Sequence, residues 1–418
     1  MTGRAALPGR YWLPFPSLPK FTGYTMSTRF AYFACVLTLL ATALHAAPYT
    51  PKRGDDIIEQ LPMRTDPAQL ALRQLRAQLA AKPRDLELAT SIAQRYIVTA
   101  RAETDPRYFG YAQAALAPWW SSPAPPHAVR LLRATLLQST HHFSEAMQDL
   151  DAVVAADPAN GQAWLTRATV QTVRGEYAAA TASCARLSSL ANELVAITCI
   201  ANVAGMNGRA AAREALLDAT LERGGDADPA VRSWSLTLLA EMAGRRGAAA
   251  LAEQRYRRAL ALTPRDSYLV GAYCDFLLDQ GRPRDVLPLV QEQTRIDALL
   301  LRYALALQQI PGQQDALRRA DDELRARFGA AMQRGDSVHQ REQARYELQL
   351  RGDSKTALVL AQKNWTVQKE SADMRVLLEA ALHAGDRPAA APVLEWIRSN
   401  RVEDVVLARL AKQLGTGA

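Results

Sequence analysis

Few side chains in this sequence could do chemistry, and their spacing assembles no known catalytic or metal site. Six histidines occur in 418 residues: His45, His127, His141, His142, His339 and His383. None falls in H-E-x-x-H, and the chain has no C-x-x-C pair, no G-x-x-x-x-G-K-[ST] phosphate cradle and no G-x-S-x-G nucleophile elbow. His141 and His142 come nearest to a ligand pair. Adjacent helical residues point about 100° apart, and no cysteine or carboxylate is spaced to complete a site, so a surface turn is expected there. We therefore expect a non-enzymatic chain with no catalytic residues, no metal and no cofactor. Tyr108, Phe109, Tyr111, Trp119 and Trp120 form a dense aromatic cluster, whose ordinary use is to pack a small helical module rather than to hold a ligand.

Charge does not supply a nucleic-acid signature. The formal net charge is +8, with 50 basic and 42 acidic residues. Residues 1–46 hold Arg4, Arg10, Lys20 and Arg29 and no acid, so 46 basic residues face 42 acidic ones beyond them. No run of five or six Lys or Arg occurs, and the charge reads as a solvated surface. The same leading stretch has the layout of an export signal: Arg29, an apolar run from Phe30 to Leu44, then Leu44-His45-Ala46-Ala47-Pro48. Cleavage after Ala46 suits these small residues, since a proline directly after the cut obstructs it. The true start is expected at Met26, because residues 1–25 carry four prolines and no helical period. Fifteen apolar residues are short for a membrane span, which needs about 20, although an uncleaved signal-anchor in the inner membrane is the alternative. A periplasmic chain is expected. Cys184, Cys199 and Cys274 would then lie in an oxidising compartment, and their odd number leaves one thiol unpaired. Cys184 and Cys199 belong to helices expected to be adjacent, which permits a bridge. Three buried packing residues is the plainer expectation.

The elements that would position any site are helical and periodic. Glycines in short polar turns fall at Gly175, Gly208, Gly247, Gly281, Gly312, Gly352 and Gly385, with intervals of 33, 39, 34, 31, 40 and 33 residues. Each separates two apolar segments of helical period, and a glycine just past a helix allows the left-handed stop that a sharp turn needs. Within the units, small residues recur where two helices must approach, Ala134 with Ala146, Ala168 with Ala180, and Ala240 with Ala252 and Ala259, while Trp164 opens a first helix and Tyr256 holds a large position of a second. The first unit turns through Thr140-His141-His142-Phe143 without glycine, and the unit at Gly208 has Arg213 where a small residue is usual. A long helix between Pro311 and Asp336 carries Leu317, Ala320, Leu324, Phe328 and Met332 on one stripe. Residues 57–118 are helical but irregular, with helices near 67–81, 86–102 and 106–116. Residues 119–126 form a proline-rich connector, since four prolines from Pro118 to Pro126 cannot continue a helix. The array spans 127–400. Residues 401–416 form a C-terminal capping helix with Val402, Val405, Val406, Leu410 and Leu414 on one face.

Helix, tight turn, helix, at a period near 34, with these small residues in place, resembles the tetratricopeptide repeat family. The resemblance implies an all-α fold, an alpha-alpha superhelix behind the N-terminal signal segment, whose concave groove is lined by the first helix of each unit. The family register places Thr135, Gln138, Thr169, Thr172 and Asn202 on the early groove. It places Trp234, Glu241, Arg245, Tyr268, Asp275, Asp279, Glu342, Tyr346 and Glu379 on the later one. Acid beside aromatic there would favour a cationic or amide-rich ligand. The family's grip on C-terminal carboxylates uses several Lys, Arg and Asn residues at these positions, and this chain lacks that set. The expected function is an exported scaffold or adaptor that binds a protein or peptide partner in the groove, with peripheral envelope association and no nucleic acid. The alternative is an enzyme or enzyme accessory acting on envelope polymers, with Asp275 and Glu241 as acid–base residues.

Overall fold

The structure is a computed structural model that describes residues 67–103, 105–335 and 340–415, together with Arg53. The export segment, the start at Met26, Cys35, His45, residues 57–66 and His339 lie outside the described residues. The chain divides into two units, Met1–Thr65 and Asp66–Ala418, and every described helix belongs to the second.

Among the described residues there is no strand. A leading helix α1 (Pro67–Ala81) precedes an irregular hairpin of α2 (Leu86–Glu103) and α3 (Arg107–Ala115), then one short turn, α4 (Ala117–Trp120). Eight hairpins follow. They are α5 (His127–Ser139) with α6 (Phe143–Ala156), α7 (Gly161–Val173) with α8 (Tyr177–Arg186), and α9 (Glu193–Ala204) with α10 (Ala210–Arg223). Next come α11 (Pro229–Arg245) with α12 (Ala249–Leu262), α13 (Ser267–Asp279) with α14 (Pro283–Val290), and α15 (Asp297–Gln308) with α16 (Gln314–Gln333). The last are α17 (Gln340–Gln349) with α18 (Ser354–Trp365) and α19 (Ser371–Ala384) with α20 (Ala391–Asn400), before a terminal helix α21 (Val405–Gln413).

The hairpins close for the steric reason visible in the sequence. Ala134, Ala146, Ala180, Ala240, Ala252 and Ala259 are all completely buried, so the two helices of a unit meet backbone against backbone while leucines fill the grooves toward the next unit. All seven turn glycines adopt φ between +68° and +82°, a region that costs other residues roughly 1–2 kcal/mol. In the glycine-free first unit His141 takes this role at φ +59°, stacked on Phe143 at 5.4 Å. In the third unit Ala210 and Leu217 are buried and Arg213 lies at the edge of the contact. The long helix α16 buries Ala320, Leu324 and Phe328 but leaves Met332 58% exposed. That corrects the expected stripe: α16 has 20 residues against 12 in α15, so its last turn outruns its partner.

Three further points refine the sequence reading. Cys184 and Cys199 form a disulfide with Cα atoms 5.6 Å apart, because the end of α8 packs beside α9; among the described residues Cys274 alone is free, and it is buried. Trp119 and Trp120 are helical, within α4, rather than part of an extended connector, and both pack on the N-terminal core with Tyr96 and Tyr108. The rest of the connector is tied down by arginines. Arg130 donates to the carbonyls of Pro123 and Pro125, and Arg133 to those of Trp120 and Ser122. Arg133 also grips the buried Asp149 with two hydrogen bonds of 2.6 and 2.7 Å.

The array curls until its late units meet the turns of its early ones. The amide of Lys369 donates to the carbonyl of Val173 at 2.8 Å, and the Tyr177 hydroxyl donates to the Lys369 carbonyl at 3.4 Å. Gln368 lies 3.2 Å from the ring of His141. Trp396 sits edge-on to Tyr177 and so close to Gly175 that a Cβ there would lie 2.4 Å from its ring. One hydrophobic cluster accordingly joins residues of α7–α9, such as Ala168, Cys184 and Val203, to residues of α17–α21, such as Leu348, Leu378 and Leu410.

Candidate functional site

The inner face of the array follows from which helices touch. Successive first helices, α9 to α11 and on through α13, α15, α17 and α19, contact one another, whereas second helices meet mainly their own partner and the following unit. The first helices therefore form the tighter, concave layer.

Several expected groove residues do face this interior, but their chemistry differs from expectation. Asp275 on α13 is bound by Arg302 of α15 at 2.7 Å and by Arg345 of α17 at 2.6 Å. Asp279 accepts two hydrogen bonds from Arg375 of α19, at 2.7 and 2.8 Å. Glu379 accepts from the Nε–H of Arg375 at 2.7 Å, and Glu342 lies beside Arg341. Burial opposes ionisation of Asp275, but Arg302 and Arg345 outweigh it and hold the carboxyl well below the usual carboxylate range. Asp275 and Asp279 are thus held by arginines that cross the interior from other units, and Glu342 and Glu379 by arginines of their own helices, which removes the expected preference for a cation. The arginines are the residues that sequence reasoning missed. Arg302, Arg345 and Arg375 lie 27, 70 and 96 positions from the aspartate each engages, a separation that no local period displays.

Glu241 and Tyr268 pair with each other. The Tyr268 hydroxyl donates to Glu241 Oε1 at 2.7 Å. Burial pushes the Glu241 carboxyl up, with Arg245 pulling against it, and the neighbouring Glu241 charge pushes the Tyr268 phenol well above its ordinary value. Tyr268 remains 60% exposed, so water screens the pair and it adds little stability. Arg245 is half-buried beside Gly205. Trp234 packs half-buried against the cluster that joins early and late units. Tyr346 is a correction: it is 2% exposed, packs with its ring tilted against Phe328 and donates to Asp321 of α16 at 2.8 Å. Its neighbour Arg345 has the interior position, and one residue of register turns a helical side chain by about 100°. Thr172 is likewise buried, its hydroxyl spent on the Ala168 carbonyl.

Past these ion pairs, at the C-terminal ends of the first helices, the interior opens into a cavity of about 500 Å³. Leu278, Leu305, Leu348, Leu382 and Leu410 give it an apolar lining. Gln308, Gln349 and Gln413 contribute amides, and Arg345, Arg375 and Arg409 contribute cations. Asp279 and Glu379 line it too, but Arg375 engages both. Gln308 donates to the Gln349 carbonyl and Gln349 to Glu379, while Arg345 and Arg375 are held by Asp275, Asp279 and Glu379. Leucine surface therefore alternates with polar groups tied to one another, a lining on which a polypeptide segment can bury apolar side chains. No group of three His, Cys, Asp or Glu among the described residues is placed to hold a metal. No described helix is long and apolar enough to cross a membrane.

No curated protein matches the chain in sequence. Among solved structures, a tetratricopeptide repeat protein from Parabacteroides merdae is 14% identical over 69% of this chain and 98% of its own, with a TM-score of 0.35. The human IFIT1 dimer with m7Gppp-AAAA is 13% identical over 83% of this chain and 85% of its own, at 0.37. The TPR domain of P58(IPK) is 14% identical over 79% and 97%, at 0.23. Residues 209–331 match the family model described as Tetratricopeptide repeat. That match lies in the middle of eight like hairpins, each turning through a left-handed residue, and residues 209–331 belong to the tetratricopeptide repeat family.

Proposed function

We propose that this protein is an exported, non-enzymatic scaffold that holds a segment of a partner protein against its inner face. The observation that carries this reading is the inner-face cavity, where leucine side chains alternate with amide and guanidinium groups. A preformed site of this kind loses little ordering entropy on binding. Of the two carboxyls the enzyme alternative would use, Asp275 is held ionised between two arginines and has no proton to give at neutral pH, which leaves only Glu241, itself accepting from Tyr268. Export is supported by the leader layout and by the Cys184–Cys199 bond, since structural disulfides persist in oxidising compartments. A periplasmic location follows from that reading, and a fusion of residues 26–47 to a compartment-sensitive reporter tests it.

The binding claim is tested with a photo-crosslinking residue placed either at Gln349, in the cavity, or at Glu323, on an exposed outer position. Expected is a discrete polypeptide adduct from Gln349 that is absent from Glu323 and abolished by Leu348→Arg. Equal labelling from both sites, or none from Gln349, would overturn the reading.

A further inference from the structure

The terminal helix α21 does not continue the stack. At α9, α11, α15 and α19 the first helix of a unit packs on both helices of the unit before it, but α21 packs on α19 rather than on α20. It turns inward after Arg401, a non-glycine residue at φ +52°. Val405 reaches the Gly247 turn of the fourth unit, and Arg409, Leu410 and Gln413 line the cavity together with residues of α13, α15 and α17. Asp404 starts the helix by accepting from the amides of Val406 and Leu407. Leu407, Leu410 and Leu414 are 1%, 6% and 3% exposed, a stripe at i, i+3 and i+7, while Ala408, Arg409 and Lys412 face solvent. The capping helix expected from the sequence is therefore laid across the inner face of the array.

We propose that α21, which walls one side of the cavity, covers the part of the inner face that the partner takes, and that the partner is an amphipathic helix with leucines at i, i+3 and i+7 that displaces it. This rests on the reading that the inner face receives a polypeptide segment, and it names that segment's chemistry. Nine residues are too few to hold a helix alone in water, so α21 keeps its form through its three leucines, and a longer helix with the same stripe competes for the same contacts. Its tether gives α21 an effective concentration of roughly millimolar, which makes the intact chain selective against weak helices.

The test adds a labelled peptide of residues 402–415 to the intact chain and to a chain ending at Arg401. Expected is binding to the shortened chain at least tenfold tighter than to the intact one, with Leu410→Asp in the peptide abolishing it. A folded shortened chain that ignores the peptide would overturn the proposal. Should the shortened chain not fold, hydrogen exchange on the intact protein decides. The proposal expects α21 amides to exchange at least tenfold faster than those of α18 and α19, through local opening. Exchange of α21 only in step with α19 would overturn it. A partner cross-linked at Gln349 while α21 stays as protected as α19 would sink this proposal and leave the broader binding reading intact.

Discussion

Gly175 and Gly352 separate two physical demands that look identical in sequence. Both have a left-handed backbone, at φ +78° and +69°, but a Cβ at Gly352 meets open space whereas one at Gly175 strikes the Trp396 ring. Gly352→Ala should lose about 1–2 kcal/mol, and Gly175→Ala visibly more, as measured by urea unfolding; equal losses would mean that Trp396 is not seated there. Asp275 offers a second test. Its folded carboxyl titrates below the usual range, so its ion pairs stabilise fully above the unfolded value of about 4 and fade as pH falls through the folded one. Asp275→Asn should cost about 2–3 kcal/mol at pH 7, less than a fully buried pair because Asp275 is 28% exposed. The variant should also lose less stability than the wild type between pH 5 and pH 2. The turn glycines were legible because only one residue type relieves that backbone. Tyr346 was misplaced because inside and outside differ by a single residue of register, and the arginines that neutralise Asp275 and Asp279 are remote in sequence.

Helices were read closely because apolar period and punctuation are local properties. Pro67–Ala81 matches the expected range, and α2 and α3 differ by a residue at their ends. What helices do with their faces was harder to see. The bond between Cys184 and Cys199 depends on how α8 meets α9, which spacing alone does not give. It closes a span of 15 residues, worth about 3 kcal/mol by loop entropy. Reductant should therefore lower the urea midpoint of the wild type and leave a Cys184→Ser/Cys199→Ser double variant unmoved; an unmoved wild type would mean that the bond is not formed. The face of α21 was only half legible. Leu410 and Leu414 are buried as expected, but Val405 is 49% exposed and Leu407 takes the central place, because the helix packs inward on α19 instead of covering the end of the stack.

At the scale of the whole array, nothing periodic announces that units one to four meet units seven and eight. Contacts such as Tyr177 with Lys369 and Trp396 span about 200 residues, and they arise from the accumulated curvature of many similar hairpins. Their consequence is functional: the same curl that docks Trp396 on Gly175 brings Arg345 and Arg375 across the interior to Asp275 and Asp279, and shapes the cavity beside them. Closure is therefore the central claim, and a pulsed electron-resonance distance between spin labels at Glu176 and Arg398, both exposed beside the contact, tests it most directly. A single short and narrow distance, broadened by Trp396→Ala, is expected; a broad distribution reaching long distances in the unmodified array would show an open spiral and contradict the account.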